Sequence, residues 1–268
     1  MLSVALLGHP VAHSRSPEVH AAFGRALGIP LHYALIDVPD DGLEAALAAF
    51  IAAGGRGANV TLPFKQRALA VVTRLTPRAA AAGAVNALKV EDDGSVTGDN
   101  TDGVGLVRDL VRNHGIALRG TAATLLGGSG AARGALAALL EAGAVVRVAD
   151  RDAARRAALA RAFPAATVGD YAALARHPAT LMVNATSASL RGELPPLPAS
   201  ALAPGSIAYD MVYADLPTPF QRWAEAEGAT RALDGWGMMV EQAAASFELW
   251  TGSRPATAAL LDRKRLLG

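Results

Sequence analysis

Three short polar clusters carry the residue types that could do chemistry: His13-Ser14-Arg15-Ser16-Pro17, Asn59-Val60-Thr61-Leu62-Pro63-Phe64-Lys65 and Gly98-Asp99-Asn100-Thr101-Asp102-Gly103. Each falls at the end of an expected strand, where open parallel sheets collect their ligands. Held together, a lysine and an aspartate form a proton-transfer pair in which each charge tunes the other's pKa, so Lys65 and Asp102 are candidates for acid–base work. Every member also has a plainer reading. Lys65 near a helix start suits solvent, Asp102 suits a helix dipole, Ser16 before Pro17 suits an N-cap, and Ser14 fills a turn.

A fourth segment, Leu125-Leu126-Gly127-Gly128-Ser129-Gly130-Ala131-Ala132-Arg133, runs from an apolar strand into a helix. Small residues there let backbone amides approach a phosphate at a helix N-terminus, and the next strand ends at Asp150, about twenty residues on, where such folds hold the adenine-side ribose. Ser129 stands where G-x-G-x-x-G/A asks for glycine. The plain alternative is an ordinary glycine-rich turn; a sharper one is a hydrolase nucleophile elbow built on Ser129. That elbow needs an acid and then a histidine downstream, and the chain offers only His177 beyond it, close to Asp170 and followed by Pro178.

The elements that must position these residues follow from apolar patterning. Leu2 to Leu7, Leu31 to Asp37 and Gly57 to Val60 read as strands between helices at Pro17 to Leu27 and Gly42 to Ala53, with Pro17 in a first turn and Gly28 and Pro30 closing that helix. Lys89 to Glu91 and Ser95 to Thr97 flank Asp92-Asp93-Gly94 as a hairpin, and Thr101 to His114 reads as a connecting helix. Beyond it, strand Ala122 to Leu126, helix Gly130 to Ala142, strand Ala144 to Ala149 and helix Ala153 to Phe163 alternate. Strands at Leu181 to Asn184 and Ile207 to Met211 follow, with a proline-rich surface loop from Ser189 to Pro204. Alternation of this kind gives an α/β class with a mostly parallel sheet and helices on its faces.

Composition narrows the function classes. The chain has 268 residues, 51% hydrophobic and 18% charged, with a net charge of +1 and no cysteine. At roughly 100 to 200 residues per domain that is one large domain or two ordinary ones, too apolar for disorder. No basic run marks a nucleic-acid footprint, and no apolar stretch reaches the roughly 18 residues of a membrane helix. Disulfides and thiolate chemistry are excluded, and the six histidines show no metal-ligand spacing. The start lacks a basic n-region, so cytoplasmic residence is expected.

Across nearly its whole length the sequence resembles the shikimate dehydrogenase family. The resemblance rests on Gly8 to His20, Asn59 to Lys65, Ala84-Val85-Asn86, Gly98 to Leu106, Gly127 to Arg133, Asn184-Ala185-Thr186-Ser187, Tyr209 to Tyr213 with Thr218-Pro219-Phe220, and Asp234 to Gly252. It implies reversible reduction of 3-dehydroshikimate to shikimate with a nicotinamide cofactor, in aromatic amino-acid biosynthesis. It further implies that Ser14 and Ser16 hold the substrate carboxylate, that Thr61, Asn86 and Gln242 bond the ring hydroxyls, that Tyr213 joins the pocket rim, and that Lys65 and Asp102 are the catalytic pair. The cofactor would meet Gly127, Gly128, Ser129, Gly130, Ala131, Asp150, Arg151, Arg155, Thr186, Met211 and Gly235.

The same resemblance implies two domains: residues 1–101 plus 237–268 for substrate, and a Rossmann domain over residues 102–236. C-terminal helices at Trp236 to Trp250 and Ala256 to Leu267 would return to the first domain and bring Gln242 with them. A plain core helix would account for Met238, Met239 and Phe247 equally well. The chain would act as a monomer or homodimer. Relatives using NADP commonly show Asn-Arg-Thr after the second Rossmann strand, whereas here Asp150-Arg151-Asp152 precedes Arg155. Arg151 and Arg155 could clamp a 2′-phosphate; Asp150 and Asp152 would repel it, as an acid does when it favours the 2′-hydroxyl of NAD. The motif set as a whole points to NADP(H), with NAD(H) or dual use, and some quinate activity, as alternatives. A nucleotide-binding scaffold without turnover would be expected to lose Lys65 or Asp102, and both are present.

Overall fold

The computed structural model describes residues 1–198 and 200–262. In chain order its strands are β1 (Leu2–Gly8), β2 (Leu31–Asp37), β3 (Gly57–Val60), β4 (Arg74–Leu75), β5 (Ala87–Val90), β6 (Val96–Asp99), β7 (Ala122–Leu126), β8 (Val145–Ala149), β9 (Thr167–Gly169), β10 (Ala179–Asn184), β11 (Leu202–Asp210) and β12 (Arg231–Leu233). The helices are α1 (Ser16–Leu27), α2 (Leu43–Ala52), α3 (Pro77–Ala82), α4 (Asp102–Arg108), α5 (Gly130–Glu141), α6 (Ala153–Ala162), α7 (Pro219–Ala226), α8 (Trp236–Thr251) and α9 (Ala258–Leu261). The chain divides into two compact units, one of Met1–Gly105 with the segment from Met239, the other of Leu106–Met238.

In the first unit the sheet order is β2-β1-β3-β5-β6-β4. Strands β1, β2 and β3 run parallel, and so do β4 and β6, while β5 pairs antiparallel with both β3 and β6. The β5–β6 hairpin is the expected one. Ala5, Leu7, Val60, Phe64 and Leu88 from the sheet side close on Leu43, Leu47 and Phe50 of α2 as one buried cluster. Pro17 lies in the first turn of α1, and Gly28 takes a left-handed φ of 65° that ends it. Ser16 is the first helical residue and not the cap. Arg15 holds that position without a side-chain capping bond, and the Ser16 N–H donates to Ser14 Oγ at 3.2 Å.

The second unit is an all-parallel sheet ordered β9-β8-β7-β10-β11-β12. Numbered within the unit this is the 3-2-1-4-5-6 arrangement of a Rossmann fold. Leu125, Val146, Val148, Leu181 and Val183 form its interior with Leu136 and Leu139 of α5. Three expectations need correction. The connecting helix stops at Arg108 and widens into a π turn over Asp109–Asn113, where Asp109 accepts the Tyr209 hydroxyl at 2.7 Å. Strand β11 starts at Leu202, inside the stretch read as loop. Among the described residues the last helix is α9, which starts at Ala258 and not at Ala256; positions 263–267 of the helix expected there lie outside the described residues.

His20 of α1 is fully buried, stacked on Tyr33 with ring centroids 4.8 Å apart and flanked by Trp250 at 5.1 Å. Neither ring nitrogen has a hydrogen-bond partner, and desolvation pushes its pKa down to about 3. The folded state therefore refuses a proton that the unfolded chain takes up near pH 6.5, so this residue costs stability as pH falls from about 6.5 towards 3, at about 1.4 kcal/mol per pH unit in the steep range. His20→Leu is expected to flatten the fall of the urea midpoint between pH 7 and pH 4. An unchanged slope would place the acid sensitivity elsewhere.

Candidate active site

The first unit assembles most of the polar residues singled out in the sequence. Lys65 follows β3 through a turn, and Asp102 opens α4; Lys65 Nζ donates to Asp102 Oδ2 at 2.7 Å. Their side chains are only 12% and 6% exposed, so the pair is withdrawn from bulk water, where an ion pair is screened less than at a surface. The other carboxylate oxygen of Asp102 accepts from Asn86 Nδ2 at 2.9 Å. Asn86 also receives the Thr101 N–H at 2.7 Å and donates to Thr101 Oγ1 at 3.0 Å. One buried amide thus fixes both the start of α4 and the orientation of its first carboxylate.

Behind this pair lies a hydrogen-bonded chain that the sequence reading did not assemble. The Thr101 hydroxyl is 3.3 Å from Gln242 Oε1 and 3.1 Å from Ser246 Oγ, one turn further along α8. Asn59 Nδ2 donates to Ser246 Oγ at 2.9 Å, and the Tyr33 hydroxyl donates to Asn59 Oδ1 at 2.9 Å. Burial pushes the Tyr33 phenol well above its ordinary pKa, so it stays a neutral donor. Asp99 steadies the approach to Asp102, since it is fully buried, receives the Arg78 guanidinium through two bonds, and accepts the Thr76 hydroxyl at 2.6 Å. The i, i+4 spacing of Gln242 and Ser246 on one helix was the only sequence signal for Ser246.

Ser14 and Ser16 come together with their hydroxyls 3.1 Å apart. Thr61 begins the turn that carries Lys65, its N–H held by Leu7 O at 2.9 Å. Tyr213 lies in the second unit, where its ring meets Trp236 edge-on at 5.5 Å.

In the second unit the glycine turn joins β7 to α5 at the point where strand order reverses. Gly127 has φ 97°, a left-handed value that other residues rarely adopt. Ser129 is the N-cap residue of α5 but makes no side-chain cap bond, so the first amides of the helix are open to an anion. Thr186 Cγ2 lies 3.1 Å from where a Gly127 Cβ would stand, and Gly235 presses so closely on Met211 that a Cβ would fall 2.2 Å from the Met211 carbonyl oxygen. A narrow turn, open helix amides and a crevice bordered by Thr186 suit a dinucleotide pyrophosphate. The elbow reading fails here. A hydrolase elbow holds its serine in a strained turn, whereas Ser129 is in ordinary extended backbone and every positive-φ residue described is a glycine.

Two family models match the chain, almost wholly within the first unit. The family model described as "Shikimate dehydrogenase substrate binding domain" matches residues 6–88, and that described as "Shikimate 5'-dehydrogenase C-terminal domain" matches residues 235–262. A relative from Alkalilimnicola ehrlichii, shikimate dehydrogenase (NADP(+)), is 50% identical over 266 residues, covering 97% of each chain. The protein of that name from Halorhodospira halophila is 48% identical over 263 residues, covering 98% of this chain and 97% of its own. The chain belongs to the shikimate dehydrogenase family. Among solved structures, shikimate 5-dehydrogenase from Thermus thermophilus in complex with NADP(H) and shikimate is 38% identical, covers 99% of each chain and superposes with a TM-score of 0.88.

In the second unit, the turn between β8 and α6 is closely hydrogen-bonded. Asp150 and Asp152, the acids expected to face a 2′-phosphate, are both consumed by neighbouring donors: Asp150 takes Asp152 N–H and Arg155 Nη1, and Asp152 caps α6 through Arg155 N–H. Arg151 and Arg155 remain exposed on the same turn. The stretch around Asn184 is likewise tied down. Asp210 accepts from Asn184 Nδ2 at 3.1 Å, Ser189 Oγ at 2.6 Å, Thr218 Oγ1 at 2.7 Å and Val212 N–H at 3.1 Å. Asp210 belongs to the Tyr209 to Tyr213 stretch quoted above, but the sequence assigned no role to it or to Ser189. Among the described residues no helix is long and apolar enough to cross a membrane.

Proposed function

We propose that this protein catalyses the reversible NADP-linked reduction of 3-dehydroshikimate to shikimate, with the unit of Met1–Gly105 and the segment from Met239 receiving the substrate and the unit of Leu106–Met238 receiving the dinucleotide. The observation that carries the reading is the withdrawn Lys65–Asp102 pair, 2.7 Å apart, in a unit rich in fixed hydroxyl and amide groups. A small polyhydroxylated acid is recognised by several preorganised polar contacts and not by one strong one. NADP(H), when bound, supplies or accepts the hydride at the carbon that bears the 3-oxygen.

The chain's own residues do the rest. The paired Ser14 and Ser16 hydroxyls turn outward from each other to donate to the substrate carboxylate. Thr61, Asn86 and Gln242 orient the ring hydroxyls. In the reducing direction the Lys65 ammonium gives its proton to the 3-oxygen, and in the oxidising direction the amine takes it back, Asp102 holding the lysine nitrogen in place. Asn86, itself bonded to Thr101, keeps that carboxylate from turning away. On the cofactor side, the amides of Gly127 to Ala131 would hold the pyrophosphate, Arg151 and Arg155 the 2′-phosphate, and Thr186, Met211 and Gly235 the nicotinamide end.

The substrate assignment is tested by incubating the purified protein with NADP and either shikimate or quinate. Shikimate is expected to show at least about tenfold higher kcat/KM, because quinate adds a hydroxyl on the carboxylate-bearing carbon beside the paired serines, and a mismatched polar group in such a site costs that much or more. Equal or better turnover of quinate would overturn the assignment.

A further inference from the structure

An acid at the end of the second Rossmann strand ordinarily marks a site for a free ribose 2′-hydroxyl. Asp150 holds that position, yet its side chain is only 3% exposed. One carboxylate oxygen accepts the Asp152 N–H at 2.8 Å and the other lies 3.2 Å from Arg155 Nη1. Asp152 in turn accepts the Arg155 N–H at 2.8 Å. Arg155 is thus held twice, at its backbone by Asp152 and at its guanidinium by Asp150. Its stem crosses the glycine turn, since a Cβ on Gly128 would stand 2.8 Å from Arg155 Cδ and 3.0 Å from Cγ. Arg156 braces the same corner by donating to the carbonyl oxygens of Asp150 at 2.9 Å and Arg151 at 3.0 Å.

We propose that Asp150 is a positioning residue for the cofactor's 2′-phosphate: it draws Arg155 across Gly128, so that the acid favours NADP here instead of excluding it. This rests on the NADP reading given above. A withdrawn carboxylate already paired with a guanidinium and an amide projects little negative field towards a ligand. The Arg155 side chain is 47% exposed, and a guanidinium has five N–H donors, of which the bond to Asp150 uses one. The others are left to a phosphate dianion, alongside Arg151. Fixing the side chain before binding lowers the entropy lost when the phosphate arrives. Gly128 belongs to the same device, because any side chain there would push the Arg155 stem off the turn.

The test is calorimetric titration of the ligand-free full-length protein with adenosine 2′,5′-bisphosphate and, separately, adenosine 5′-phosphate. Asp150→Ala is expected to weaken the bisphosphate about tenfold while leaving the monophosphate within about twofold. Asp150→Asn, which keeps an acceptor for the Asp152 N–H but loses the charge, should fall between, and it carries the comparison if the alanine variant does not fold. Added to Arg155→Gln, Asp150→Ala should produce no further loss, because Asp150 acts through Arg155. Tighter bisphosphate binding in Asp150→Ala, equal weakening of both nucleotides, or a full additional loss in the double variant would each overturn the positioning role while leaving the cofactor reading intact. A wild-type protein that binds the monophosphate as tightly as the bisphosphate would overturn the NADP reading, and the positioning role with it.

Discussion

Lys65→Ala is expected to lower kcat for shikimate oxidation by about two to four orders of magnitude, the range over which positioned acid–base groups act. KM for shikimate should change far less, because a proton moving in the transition state contributes little to ground-state binding. The variant also leaves Asp102 withdrawn from water with Asn86 as its remaining side-chain partner among the described residues. That loss should cost up to about 3 kcal/mol of stability, so a thermal melt must accompany the kinetics. Asp102→Asn should fail for a related reason: either its amide N–H faces the Lys65 ammonium, or it faces Asn86 Nδ2, and both arrangements oppose two donors. Near-wild-type kcat in folded Lys65→Ala would remove the lysine from the chemistry; a raised KM with unchanged kcat would make it a binding group.

Asp210→Ala should be among the most destabilising single changes in the second unit. The carboxylate is fully buried at the end of β11, and desolvation raises its pKa despite the four donors that surround it. Its removal leaves the Asn184 amide, two hydroxyls and the Val212 N–H without their shared acceptor. A loss of about 3 to 5 kcal/mol follows from stranding donors of this kind, which should appear as a melting temperature lower by about 10 °C. Asp210→Asn should lose less, since one oxygen can still accept and the amide can donate once a hydroxyl turns. An unchanged melt for the alanine variant would mean that water replaces the carboxylate without penalty.

Much of the Rossmann half was readable because its central strands contain short apolar runs, and β7, which runs into the Gly127 turn, falls where the pattern placed it, over Ala122–Leu126. The Lys65–Asp102 juxtaposition was legible as chemistry but not as geometry, since 37 residues separate the partners. The network behind it was less accessible. Asn59 and Ser246 are 187 positions apart, and nothing local in either segment announces the contact. Asp150 shows a different limit. Its residue type and position suggest a ribose acid, while its actual partner, five residues on, depends on which way two side chains turn at the start of α6. The π turn at Asp109 and the early start of β11 likewise follow from side-chain bonding and strand pairing, which apolar periodicity does not encode.

The most direct test is steady-state formation of reduced nicotinamide from shikimate, with NADP and NAD compared on the same purified protein. The account predicts robust turnover and a kcat/KM for NADP well above that for NAD, by about tenfold or more, as expected if Arg151 and Arg155 meet the 2′-phosphate. Absence of shikimate turnover with either cofactor, in protein whose folding is verified by its melt, would contradict it.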